Sequence, residues 1–183
     1  MKGSFKIDDR RTADINEFFK EMKITTPYNI KITVVDDDVA NAFAMPGGNI
    51  VVHSKILAGM NNYEDLAALL SHEFTHVQNK HTTKSLFRRL GGTVFLSVIL
   101  GDAGAIASVL VSNADNLKSL SYGRSLEKES DLNGVKILSD RKIDCNGFVR
   151  LFQLLKKETD GLTVSELISS HPDLDKRIDY IKK

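Results

Sequence analysis

The stretch Tyr63-Glu64-Asp65-Leu66-Ala67-Ala68-Leu69-Leu70-Ser71-His72-Glu73-Phe74-Thr75-His76-Val77 decides the fold. Leu66, Leu69, Leu70, Phe74 and Val77 imply a helix, and apolar residues nearly surround it, the pattern of a central, buried element. Asn62 is placed to open this helix, with Asp65 three residues on as a variant of the capping box. Inside the apolar frame stand His72, Glu73 and His76. Histidines at i and i+4 share a helical face, so both imidazoles can reach one metal ion. Glu73 lies about 100° round the helix from His72. It is placed to act on water at an open coordination position, as the general base of a metallopeptidase does. A buried helix bears a cost for two imidazoles and a carboxylate unless something satisfies them, and a zinc ion does.

A catalytic zinc takes a third protein ligand and keeps a fourth position open. The segment Tyr122-Gly123-Arg124-Ser125-Leu126-Glu127-Lys128-Glu129-Ser130-Asp131 supplies candidates. Glu127 and Asp131 are an i, i+4 pair on one helical face. Glu127 is expected to bind the ion, and Asp131 to accept the far N–H of a ligand histidine and fix its tautomer. Glu129 is the rival ligand. His81 follows His76 by five residues, about 140° round a continued helix, which points to a local hydrogen-bonding or packing role. No role is assigned to His53.

Outward from these motifs, Ile15, Phe18, Phe19 and Met22 mark an amphipathic helix over 10–22, ended by Pro27. Ile30 to Val35 reads as a strand, with Asp36-Asp37-Asp38 as the turn after it. Ala40 to Ala44 and Asn49 to His53 flank Pro46-Gly47-Gly48, the pattern of a hairpin. Gly91 to Val111 is almost wholly apolar and broken by Asp102. A buried or membrane-touching helical hairpin suits it better than a membrane span, which a central aspartate would burden. From Ala114 onward the chain reads helical, with a turn at Asp144-Cys145-Asn146-Gly147 and a break at Pro172.

The 183 residues are expected to form a single domain spanning 1–183. Hydrophobic residues make up 42% and charged residues 27%, the balance of a globular protein. With 25 basic and 24 acidic residues the net charge is +1, so nothing in the charge balance calls for nucleic acid or an anionic membrane. Lys80, Lys84, Arg88 and Arg89 read as a solvated face. A single cysteine, Cys145, excludes an internal disulfide and a thiolate-rich zinc site. Met1 to Arg10 lacks the apolar run of a signal peptide.

Together these residues resemble the zinc metallopeptidase family that includes HtpX, the CaaX prenyl proteases and BepA-like peptidases. Four blocks match in order: Asn41-Ala42-Phe43-Ala44 with Gly47-Gly48, His72 to His81, Tyr122 to Asp131, and Ser170-His171-Pro172 with Arg177-Ile178. Gly123 and Ser130 depart from the family's usual serine and alanine. The resemblance implies an α+β fold, a mainly helical zincin (gluzincin) domain with a small sheet beside the active-site helix. It also implies proteolysis tied to envelope or membrane-protein quality control, and a membrane-associated or extracytoplasmic setting. Prenyl-protein processing is not implied, because the multiple membrane spans of those relatives are missing.

The expected activity is zinc-dependent endopeptidase cleavage of unfolded or membrane- and envelope-associated proteins, with one Zn2+ per chain and Glu73 as base. The substrate would lie extended against Asn41, Ala42, Phe43 and Ala44, which could equally be a plain half-buried edge. His171 precedes Pro172 and so is biased toward an extended backbone. Three roles are open to it: hydrogen bonding the oxyanion, occupying the open zinc position, or none. Two readings compete with the peptidase: a zinc-stabilised, chaperone-like binding module, and a membrane-attached interaction domain resting on 91–111 alone.

Overall fold

The computed structural model describes residues 6–85, 87–88, 122–159, 171 and 173–182. Within them the chain is α+β and mainly helical, with one four-stranded mixed sheet. The strands are β1 (Lys6–Ile7), β2 (Lys31–Asp36), β3 (Ala42–Met45) and β4 (Asn49–His53). The helices are α1 (Asp9–Glu21), α2 (Ser54–Ala58), α3 (Tyr63–Gln78), α4 (Arg124–Asp140), α5 (Asn146–Thr159) and α6 (Leu174–Ile181). The apolar run 91–111, Arg89 and Pro172 lie outside the described residues. Among those described, no helix is long and apolar enough to cross a membrane.

The sheet order is β1-β2-β4-β3. The expected hairpin forms as β3 and β4, antiparallel with Met45 opposite Asn49 and Ala42 opposite Val52. Its turn needs glycine: Gly48 has φ +92°, and a Cβ there would stand 2.5 Å from the carbonyl oxygen of Asn29. β4 then pairs parallel with β2, and β1 adds antiparallel to the far side of β2. This leaves β3 at the sheet edge. Ile32, Val34, Ile50 and Val52 point to one face and join the main core with Phe74 and Leu70.

Three sequence expectations need correction. Helix α1 ends at Glu21, before Pro27, because Lys23 turns left-handed at φ 49° and its N–H closes onto the Lys20 carbonyl. The capping box at Asn62 does not form. Asn62 makes no side-chain cap, and Asp65 instead takes Arg150 Nε at 2.6 Å. Helix α3 also stops short of His81: Asn79 caps it and Lys80 reverses the chain at φ 55°. The place of His81 therefore follows from that turn rather than from helical periodicity. Strand β1 and helix α2 were not expected at all.

Helix α3 is buried without a break from Ala67 to Val77. It packs on α4, α5, β3 and β4, so it is the spine of the fold. Burial of Leu69, Leu70 and Phe74 stabilises by about 1.5–3 kcal/mol each, which offsets part of the cost of carrying polar side chains in the same interior. The turn expected at 144–147 is present: Asp144 Oδ1 accepts from the Asn146 N–H at 3.0 Å, and α5 starts at once. Gly147 lets α5 approach the start of α3, where an added Cβ would meet the Glu64 carbonyl oxygen at 2.3 Å. Because that neighbour is backbone, Gly147→Ala should cost about 1–3 kcal/mol in urea unfolding. An unchanged midpoint would show that the α3–α5 junction has slack.

Candidate metal centre

Two elements build the centre. Helix α3 carries His72 and His76 on one face, and their Nε2 atoms stand 3.0 Å apart. Helix α4 crosses against this face and brings Glu127, whose carboxylate oxygens lie 3.6 Å from His72 Nε2 and 3.4 Å from His76 Nε2. His171, just before α6, adds Nδ1 at 3.2 Å from His72 Nε2 and 3.0 Å from Glu127 Oε2. One donor atom from each of His72, His76, Glu127 and His171 falls within 4.8 Å of every other, and all four residues are buried.

The far side of the cluster fixes which nitrogens carry protons. His72 Nδ1 is 2.8 Å from Asp131 Oδ1, an acceptor, so Nδ1 bears the hydrogen and Nε2 presents a lone pair to the centre. Asp131 is held in turn by Arg177, whose Nε and Nη2 donate at 2.8 and 2.7 Å, and by the Tyr180 hydroxyl. Arg177 Nη1 also pairs with Glu127 Oε2 at 2.8 Å, and the guanidinium lies over the Phe152 ring at 4.3 Å. This arginine is almost fully enclosed.

Lone pairs and a carboxylate crowded into one buried space repel unless a cation lies among them, and three imidazoles with one carboxylate oxygen are a donor set that suits zinc. Burial opposes charge on Glu127, but His171, His76 and Arg177 outweigh it and hold its carboxyl well below the usual range. Asp131 is likewise held low by His72 and Arg177 against burial. Burial above all, with His72 and His171 beside it, pulls the His76 imidazole well down against Glu127, which keeps it neutral.

Glu73 differs. It is fully buried, yet neither carboxylate oxygen has a hydrogen-bond partner among the described residues. Burial pushes its carboxyl up, only partly countered by His171 and His72. Its Oε1 lies 3.8 Å from His171 Nε2, which also lacks a hydrogen bond. A buried carboxylate left without partners beside a cluster of ligand atoms is an uncompensated cost.

The remaining expected residues are placed as follows. Glu129 stands outside the cluster with a half-exposed side chain, accepting from Asn79 Nδ2 at 2.8 Å. His53 is buried away from the centre, its Nδ1 3.1 Å from the Val39 carbonyl oxygen. Asn41, Ala42, Phe43 and Ala44 are all buried on and beside edge strand β3. The Ala44 carbonyl accepts from Thr82 Oγ1 at 2.8 Å, and Thr82 shares a 2.8 Å contact with the Tyr122 hydroxyl. The Tyr122 ring stacks on His76, centroids 3.9 Å apart. Neither this stack nor the Arg177 clamp was read from sequence. Two buried acids one turn apart demand a buried cation, but nothing in the spacing says which arginine provides it.

A buried helix bearing two histidines and a glutamate without a hydrogen-bond partner among the described residues, crossed by a helix that adds a carboxylate, is the arrangement a metallopeptidase needs. The chain belongs to peptidase family M48, whose model matches residues 8–183. Membership in a peptidase family makes it a hydrolase. It is 28% identical over 74% of its length to the putative beta-barrel assembly-enhancing protease of Vibrio cholerae. Over 84% it is 29% identical to the mitochondrial metalloendopeptidase OMA1 of Saccharomyces cerevisiae. With the beta-barrel assembly-enhancing protease of Yersinia pestis it shares 27% identity over 85%. The chain spans 30%, 46% and 34% of these three relatives, less than half of each.

Replacing Arg177 by methionine keeps the contact with Phe152 but leaves Glu127 and Asp131 buried without their partner. Removing one member of a buried ion pair costs about 3–5 kcal/mol, so the metal-free Arg177→Met protein should melt well below wild type. Melting at the wild-type temperature would show that the two acids do not depend on this arginine.

Proposed function

We propose that the chain is a zinc-dependent endopeptidase in which His72, His76 and Glu127 hold the ion and Glu73 is the general base. The observation that carries this is the pair of Glu73 oxygens with no hydrogen-bond partner among the described residues, beside four converging ligand atoms. When bound, zinc supplies the Lewis acidity that activates water and polarises a scissile carbonyl. Glu73 takes a proton from the attacking water and passes it to the leaving amine, and its burial-raised carboxyl suits both transfers. Asp131 keeps the His72 lone pair facing inward, and Arg177 steadies Asp131 and Glu127.

Polypeptide would add as a strand to β3, at Asn41, Ala42, Phe43 and Ala44. What supports this is the position of β3 at the sheet edge, joined to the His76 ring through Thr82 and Tyr122. The relatives' names, a beta-barrel assembly-enhancing protease and a mitochondrial metalloendopeptidase, favour unfolded or membrane- and envelope-associated proteins as substrates. Membership in a peptidase family favours hydrolysis over the binding-module reading.

Glu73→Gln keeps size and burial and removes the base. It should retain zinc while cleavage of unfolded casein falls by about 10²–10⁴-fold. Cleavage equal to wild type would remove Glu73 from the mechanism.

His171 belongs to the resting site. With Nδ1 close to His72 Nε2 and both Glu127 oxygens, it competes with water for the position that Glu73 faces. His171→Ala should therefore raise turnover several-fold while zinc is retained. A fall in turnover with unchanged zinc would assign His171 to the oxyanion instead, and no change would make it a bystander.

A further inference from the structure

His76 carries its own orienting partner on the side away from the centre, and that partner is another imidazole. His76 Nδ1 stands 3.1 Å from His81 Nδ1. Both rings are fully buried, which disfavours a cationic imidazole in either place. One of the two facing nitrogens must then donate and the other accept. The opposite edge of His81 decides which. Its Nε2 lies 3.4 Å from Glu129 Oε2, a charge contact rather than a formed hydrogen bond, and no other acceptor engages it among the described residues. A carboxylate can only accept, so His81 carries its hydrogen on Nε2 and a lone pair on Nδ1. Ser130 Oγ, a second group able to donate, stands 3.2 Å from the same Nδ1. His76 must therefore hold its hydrogen on Nδ1, which leaves Nε2 with a lone pair toward His72, Glu127 and His171.

We infer that Glu129 and His81 form a relay that fixes the tautomer and orientation of His76, making both of them positioning residues for the metal centre. His72 is oriented by a carboxylate directly, through Asp131, whereas His76 is oriented by a carboxylate at one remove. The turn at Lys80 makes this possible, because it carries His81 back beneath His76 instead of onward round the helix. Asn79, the last cap of α3, donates to Glu129 Oε1 and so leaves Oε2 toward His81. Glu129, the rival ligand in the sequence, thus acts through two imidazoles rather than on the ion. The inference rests on the proposed ligand role of His76.

The test uses the whole chain with Glu129→Ala, Glu129→Gln and His76→Ala. Long-range proton–nitrogen NMR of histidine-labelled, metal-free protein near pH 8 reads the His76 tautomer. Competition with a chromophoric chelator reads affinity for zinc alone. In Glu129→Ala, His76 should lose its pure Nδ1–H form and zinc should bind about 10- to 100-fold more weakly. Its melting temperature should stay near wild type, because the Glu129 side chain is 47% exposed. Glu129→Gln, which keeps an accepting oxygen, should recover much of the affinity. A wild-type His76 tautomer in Glu129→Ala overturns the relay, and so does wild-type zinc affinity. Full zinc binding by His76→Ala would instead overturn the ligand assignment, while the tautomer readout still judges the relay.

Discussion

The structure turns on an imbalance of buried charge. Glu127 and Asp131 sit one turn apart on α4, both held ionised against burial, and a single guanidinium, Arg177, lies between them. Two carboxylates against one arginine leave carboxylate charge for the rest of the centre to offset: burial keeps His76 neutral, while against burial Glu127 and Glu73 push the His171 imidazole up. Such a charge is costly in a low-dielectric interior unless a cation shares it. The rest of the fold is arranged around that requirement. Helix α3 supplies imidazoles, α4 the acids, and α6 the arginine that makes the two acids compatible.

The sheet takes part in the same arrangement. Edge strand β3 passes beside α3, and its Ala44 carbonyl is tied to Thr82 and Tyr122. Tyr122 then stacks on His76. A polypeptide adding at this edge would press on the same set of contacts that hold a metal-facing ring. Because the interior is close-packed, a shift at the strand has few ways to dissipate before it reaches that ring. The proposed recognition strand and the proposed ligand set are thus mechanically adjacent, although they come from elements far apart in sequence.

Much of this was legible from spacing. The i, i+4 histidines required a helix, and the unbroken apolar flanks of that helix required its burial. Glu127 and Asp131 followed from the same periodicity. What spacing could not reveal were contacts made by turns and by chain segments remote in sequence. His81 sits where a left-handed residue puts it, so a helical wheel misplaces it. Asp65 looked like a cap but is drawn to Arg150, a partner from α5. Arg177 stood out only within a block that resembles a family, and its role exists only once α6 lies across α4. His171 entered through a family resemblance, and only the fold sets its ring among the ligand atoms.

The account stands or falls on what surrounds the metal. X-ray absorption at the zinc edge, on protein loaded with one equivalent of zinc, tests it most directly. Two or three imidazoles and one or more oxygens, with no sulfur, is the predicted environment. A sulfur neighbour, fewer than two imidazoles, or failure to retain one zinc per chain would contradict it.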